Sequence, residues 1–183
     1  MENAIKFLTS HFDTIITVCV TVLGFIITYL MTRKNFKDEV KKNKLALNTE
    51  NIKSLPYDIC QLMHHMTQNN SDNILNIVNE MREIFNKVIA YGSSKAISIA
   101  VHMQSLNYKG VNSQEEKFEL MVTYSLLITQ IKFDLSSEII SPESYFEITL
   151  NDYGNGDTRK ICKKLINKVV EELDLYKKFK VDE

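Results

Sequence analysis

Two hydrophobic rhythms divide the chain. From Thr14 to Thr32 apolar and hydroxylic residues run on without one charged side chain, whereas beyond Pro56 apolar residues recur at helical spacing with polar ones between them. At about 1.5 Å per residue the first run makes a helix of roughly 28 Å, close to the ~30 Å hydrocarbon core of a bilayer. Eleven residues from Phe12 to Leu30 are Ile, Leu, Val or Phe. Each favours insertion by about 0.3–0.6 kcal/mol, so together they supply on the order of 3–6 kcal/mol. A buried core helix of this length ordinarily keeps a polar face. A cleaved signal peptide has an apolar region of about 7–15 residues and a small-residue exit. Here only Lys6 precedes the run, and "YLMTRK" follows it. The pattern therefore predicts an uncleaved transmembrane helix over 12–32, with a short extracytoplasmic N-terminus over 1–11.

The second rhythm predicts an all-α domain over 56–183, a bundle of about five to six helices. A first helix over 56–68 puts Ile59, Leu62, Met63 and Met66 on one side. "NNSDN" breaks the chain and offers Ser71 or Asp72 as an N-cap for a helix over 73–91, whose stripe runs Ile74, Ile77, Val78, Met81, Ile84, Phe85, Val88, Ile89. Gly92 ends it in a left-handed cap, and Ser93 or Ser94 starts the next helix, which runs to Tyr108. Ser113–Glu116 reads as a capping box opening a helix to Leu135. That helix is apolar except for a strip of Glu116, Glu119, Thr123, Gln130 and Asp134, so it should be the central one. Pro142 begins a short helix carrying Tyr145 and Phe146, and a last helix from Thr158 buries Ile161, Leu165, Ile166, Val169 and Leu173. No stretch alternates with period two.

Charge adds an orientation. Arg33, Lys34, Lys37, Lys41, Lys42 and Lys44 crowd the far side of the apolar run, against Lys6 before it. Excess lysine and arginine marks the cytoplasmic flank, which predicts the N-terminus outside and the bundle in the cytosol, at the inner (plasma) membrane of a bacterium. The same cations suit anionic lipid, at about 1 kcal/mol each near the surface. Residues 33–55 read as a basic juxtamembrane stalk, with Phe36, Val40, Asn43 and Leu47 on one helical face. It should stop near Leu55, since the residue before Pro56 is pushed out of the helical region. Within the membrane run, Thr14, Thr17, Thr21, Gly24 and Thr28 alternate by three and four and form one small, hydroxylic stripe. Such a stripe suits homo-oligomerisation in lipid, each interhelical hydrogen bond being worth about 0.6–2 kcal/mol. The plain alternative is that each threonine satisfies its own helix.

Candidate chemistry is sparse. "AYGSSKA" has one glycine and the wrong order for a P-loop. Its plain reading is a helix–corner–helix, with an anion-binding corner at Ser93, Ser94 and Lys95 as the sharper one. Cys60 and His64 lie one helical turn apart beside His65, yet zinc needs further ligands, and His102 and Cys162 are distant in sequence. Asp152, Asn155 and Asp157 in "NDYGNGD" depart from the EF-hand order and suit a turn. Glu80 and Glu83 share a helix face near Arg82 and Lys87. Arg159, Lys160, Lys163, Lys164 and Lys168 make a basic face on the last helix, diluted by Glu171, Glu172 and Asp174. No catalytic residue, cofactor or metal is assigned. Three isolated cysteines form no disulfide framework, and a net charge of −1 with 44% hydrophobic residues fits a packed core without a strong pull toward nucleic acid.

"AYGSSKA" and "YSLLITQIKFDL", set in this layout, resemble blocks of small bacterial single-pass membrane proteins that carry a cytosolic helical domain. The resemblance implies a sensing domain coupled to a membrane anchor, as in effectors of anti-phage defence or stress response, and assigns no residue a role. The expected function is a non-enzymatic, membrane-tethered interaction or sensing module with an unidentified protein or small-ligand partner. Two other classes stand beside it. One is an enzyme whose site assembles only in three dimensions, which His64, His102 and a carboxylate around one cavity would signal. The other is a nucleotide or nucleic-acid binder using the basic last helix.

Overall fold

The computed structural model describes residues 12–67, 74–110, 112–150, 153–154 and 156–182. Among them every regular element is helical. The chain divides into two compact units at Leu47/Asn48. Helix α1, Phe12–Ile52, is continuous through the apolar run and the basic stretch after it. Its segment Ile16–Val40 is long and apolar enough to cross a membrane, and none of its apolar window is buried. Side chains such as Val20, Phe25 and Tyr29 are all well over half exposed.

The second unit holds α2 (Leu55–Thr67), α3 (Ile74–Tyr91), α4 (Ser94–Lys109), α5 (Gln114–Ser136), α6 (Glu143–Thr149) and α7 (Asp157–Glu172), closed by a 3₁₀ turn at Lys177–Phe179. Helix α5 is the hub and packs against α2, α4 and α7, while α3 bridges α2 and α4. Its middle is buried almost without interruption from Val122 to Leu127 and again from Thr129 to Ile131. The capping box forms as its sequence dictates. Ser113 Oγ accepts from the Glu116 amide at 3.2 Å, and the Glu116 carboxylate accepts from the Ser113 amide at 2.8 Å. These backbone donors hold the Glu116 carboxyl below the usual carboxylate range.

Several expectations shift in the fold. Helix α1 stops at Ile52, near the expected point, but Leu55 is itself helical and opens α2 with Pro56 in its first turn, where a missing amide costs nothing. Ile52 and Leu55 are buried in the bundle core. Gly92 is not left-handed; the glycines at positive φ are Gly110 and Gly156. Gly92 is needed for space instead, since a Cβ there would meet the Val88 carbonyl oxygen at 2.5 Å. Ile89 and Ile161 are exposed and Leu173 is half-buried, while Cys162 and Val170 join the core, so the buried stripe of α7 sits one position round from the expected one. Ser71, Asp72, Asp152 and Asn155 lie outside the described residues, as does the N-terminal segment 1–11.

The tail after α7 carries no periodic signal, yet it completes the core. Asp174 takes the left-handed conformation, and the Leu175 amide reaches back to the Val170 carbonyl while the Asp174 amide reaches that of Glu171. This is a Schellman ending with aspartate in the position glycine usually fills. It turns Leu175 and Phe179 inward, where Phe179 packs edge-on against Phe133 and Tyr176. Asn167 pairs with the backbone of Val181 in both directions, each bond 3.0 Å.

Candidate functional site

The polar strip of α5 is a seam, and this is where the bundle's charges converge. Glu119, only 12% exposed at its side chain, faces α4 and α7. His102 of α4 brings Nε2 to 3.6 Å from one Glu119 oxygen. Lys168 of α7 donates to both Glu119 oxygens, at 3.2 and 3.3 Å, with Glu172 4.0 Å away. Partial burial works against the charge on Lys168, but the hydrogen bond and charge of Glu119, with Glu172 and Glu115 behind, lift its pKa above the ordinary lysine value. Further along the strip Asp134 accepts from Ser93 at 2.7 Å and from Gln130 at 2.8 Å. Sequence periodicity marks these positions as polar; it does not mark them as interior.

Ser93, Ser94 and Lys95 do meet at one corner. Ser93 is the N-cap of α4 and accepts from the Ala96 amide while donating to Asp134. The Lys95 ammonium donates to the backbone carbonyls of Leu173 and Asp174 and pairs with the Asp174 carboxylate. A cation is thereby set on the carbonyl end of α7, where the helix dipole favours it. The corner's cation and hydroxyl are thus engaged with carboxylates and carbonyls of the same bundle.

The basic face of the last helix is likewise drawn inward in part. Arg159 Nε donates at 2.6 Å to Glu143, a buried carboxylate at the start of α6 that also accepts from the Tyr153 hydroxyl at 3.3 Å. Burial, then the neighbouring Glu143 charge, push the Tyr153 hydroxyl far above its usual range, and the same two causes push the buried Cys162 thiol up to about 11. Lys163 donates to the Asp182 carbonyl and Lys168 to Glu119. Lys160 and Lys164 are exposed.

On α1, Thr14, Thr17, Thr21, Gly24 and Thr28 are all exposed along one stripe, and a Cβ at Gly24 would meet nothing. Thr21 Oγ1 donates to the Thr17 carbonyl at 2.7 Å, the within-helix bond expected of a threonine in an apolar setting. Arg33, Lys34, Lys37 and Lys42 are exposed beyond it, and the side chains of Lys41 and Lys44 lie outside the described residues.

Grooves on the bundle differ in character. A polar one of about 310 Å³ between α2 and α3 is lined by Asp58, His65, Glu80, Glu83 and Lys87. Lys87 pairs there with Asp58 at 2.8 Å, and His65 with Glu80 at 3.0 Å. An apolar one of about 430 Å³ between α2, α5 and α6 is lined by Cys60, Met63, His64, Met121, Tyr145 and Ile148. Cys60 and His64 share this wall, and burial raises the Cys60 thiol. The histidines take separate places: His64 lines the apolar groove, while His102 stands in the polar seam. No protein-family model, curated protein or solved structure matches the chain.

Proposed function

We propose that the protein is a single-pass membrane protein whose helical bundle is a non-enzymatic binding module on the cytosolic face. The observation that carries this reading is the unburied apolar length of α1. Eleven large apolar side chains from Ile16 to Met31 are each 45–72% exposed. At about 1.5–3 kcal/mol for a fully buried side chain, leaving them in water costs on the order of 10–20 kcal/mol, more than a bundle's whole stability. Lipid removes that cost. Arg33, Lys34, Lys37 and Lys42, exposed just beyond the run, support the orientation with the bundle inside and a contact with anionic lipid. The exposed threonine and glycine stripe supports self-association of α1.

The bundle's part is binding rather than turnover. Its polar clusters join helix to helix, and the apolar groove between α2, α5 and α6 includes Met63 and Met121, whose flexible, polarisable side chains adapt to apolar partners. The partner this favours is a small ligand or protein segment that presents an apolar face.

The test is fractionation and protease protection of the full-length chain expressed in a bacterium. Carbonate-resistant sedimentation, release by detergent only, and a C-terminal tag cut solely after the inner membrane is opened are expected. A chain that stays in the supernatant, or a tag cut on spheroplasts, overturns the reading. Replacing Thr17, Thr21 and Thr28 by leucine should leave the chain in the membrane and reduce its cross-linked oligomers; unchanged cross-linking removes the stripe from the account.

A further inference from the structure

We propose that His102, Glu119 and Glu172 form a site for one divalent transition-metal ion, with the Lys168 ammonium as its displaceable internal counter-ion. Each ligand comes from a different helix, α4, α5 and α7, and their ligating atoms lie within 4.8 Å of one another. Independently, His102 Nε2 has no accessible surface and no hydrogen-bond partner among the described residues, although it points at a carboxylate. At 3.6 Å from the Glu119 oxygen it falls just short of a hydrogen bond, an uncommon state for a buried ring nitrogen. In the tautomer that carries its proton on Nδ1, Nε2 turns a lone pair toward those of Glu119, an arrangement that a metal ion between them satisfies.

Lys168 is that cation in part. Its ammonium donates to both Glu119 oxygens and stands 4.0 Å from Glu172, but none of its three donors reaches Nε2. A divalent ion in the same place would bond all three ligands. One imidazole and two carboxylates suit Zn²⁺, Co²⁺, Fe²⁺ or Mn²⁺ rather than a soft ion, and three protein ligands leave open positions for water. Closure needs little movement. Glu172 is the last residue of α7 and is 46% exposed, so it is free to swing inward. Lys168, also 46% exposed at its side chain, has a long stem that carries the ammonium out to water. Charge is conserved in kind: two carboxylates now share one positive charge, and a divalent ion would neutralise both. The site lies wholly within the bundle and stands whether or not α1 is in lipid.

The experiment titrates Co²⁺ into chelator-treated, full-length protein in detergent, reading the visible d–d absorption and the heat of binding, with Zn²⁺ as competitor. One saturable equivalent that Zn²⁺ displaces is expected. Because the ammonium competes with the metal, Lys168→Met should tighten binding by about tenfold or more. Removing a ligand by His102→Gln should weaken it by about 100-fold or more. Glu172→Gln, at an exposed helix end where folding is untouched, should weaken it as well. Absence of saturable Co²⁺ binding in both the native chain and Lys168→Met overturns the proposal, as does binding that Glu172→Gln and His102→Gln leave unchanged.

Discussion

Phe179 is the residue whose removal best tests how the bundle closes. It lies in a tail without helical periodicity, yet none of its surface is exposed, and its ring meets Phe133 and Tyr176 edge-on with both centroids 5.9 Å away. Truncating a buried phenylalanine to alanine costs about 3–5 kcal/mol, of which each edge-on ring pair supplies about 0.5–1.5 kcal/mol. Against a total stability of about 5–15 kcal/mol this is a large share. Phe179→Ala should therefore lower the midpoint of thermal unfolding by about 10–20 °C, at about 3–5 °C per kcal/mol for a unit of this size. The assay is circular dichroism of the detergent-solubilised chain, heated and separately titrated with urea. Tyr176→Ala is the control: its side chain is 43% exposed, so it should cost clearly less. If Phe179→Ala unfolds within about 1 kcal/mol of the native chain, the tail is not part of the core and the account of the Schellman ending fails. Loosening the tail also frees Asn167 and Val181 from each other, and with them the end of α7 that carries Glu172.

Two other outcomes follow from single observations. Burial pushes the Tyr124 hydroxyl up to about 12, opposed only weakly by Asn107, so its contribution to stability is full below pH ~10 and is lost as pH rises from there toward 12. Tyr124→Phe should abolish this share of the alkaline loss, on the order of 3 kcal/mol at the top of that window, in urea titrations run across it; an identical pH profile would refute the assignment. Gly92→Ala forces a methyl group against the Val88 carbonyl, 2.5 Å away and held in the helix, and should destabilise the bundle by about 1–3 kcal/mol despite alanine's better helix propensity. A neutral or stabilising result in the same urea assay would show that the α3–α4 corner is looser than its geometry.

What the chain determines locally was legible without a structure. The apolar length of α1, the capping box at Ser113 and Glu116, the break at Gly92 and the apolar weight of α5 each depend on residues within a turn or two of one another. Periodicity and capping act over that range, so sequence alone determined an all-α chain with a central helix and one helix long enough to span a bilayer. It determined less where two faces of one helix are both partly apolar. In α7 the buried stripe moved from Ile161 to Cys162, because the rotation of a helix is chosen by what it packs on. The tail was illegible for a related reason: an Asp174 in the left-handed region carries no glycine to announce it.

Only the tertiary structure decided the fate of the charges. Glu119, Lys168 and His102 belong to three helices, and no local spacing joins them. Lys95 finds its partners on the far end of α7, and Arg159 finds Glu143 across the α6–α7 connection. A polar residue on a periodic strip is written the same way in sequence whether it meets water or a buried partner. The energy that distinguishes the two cases, desolvation against pairing, exists only once the helices are packed.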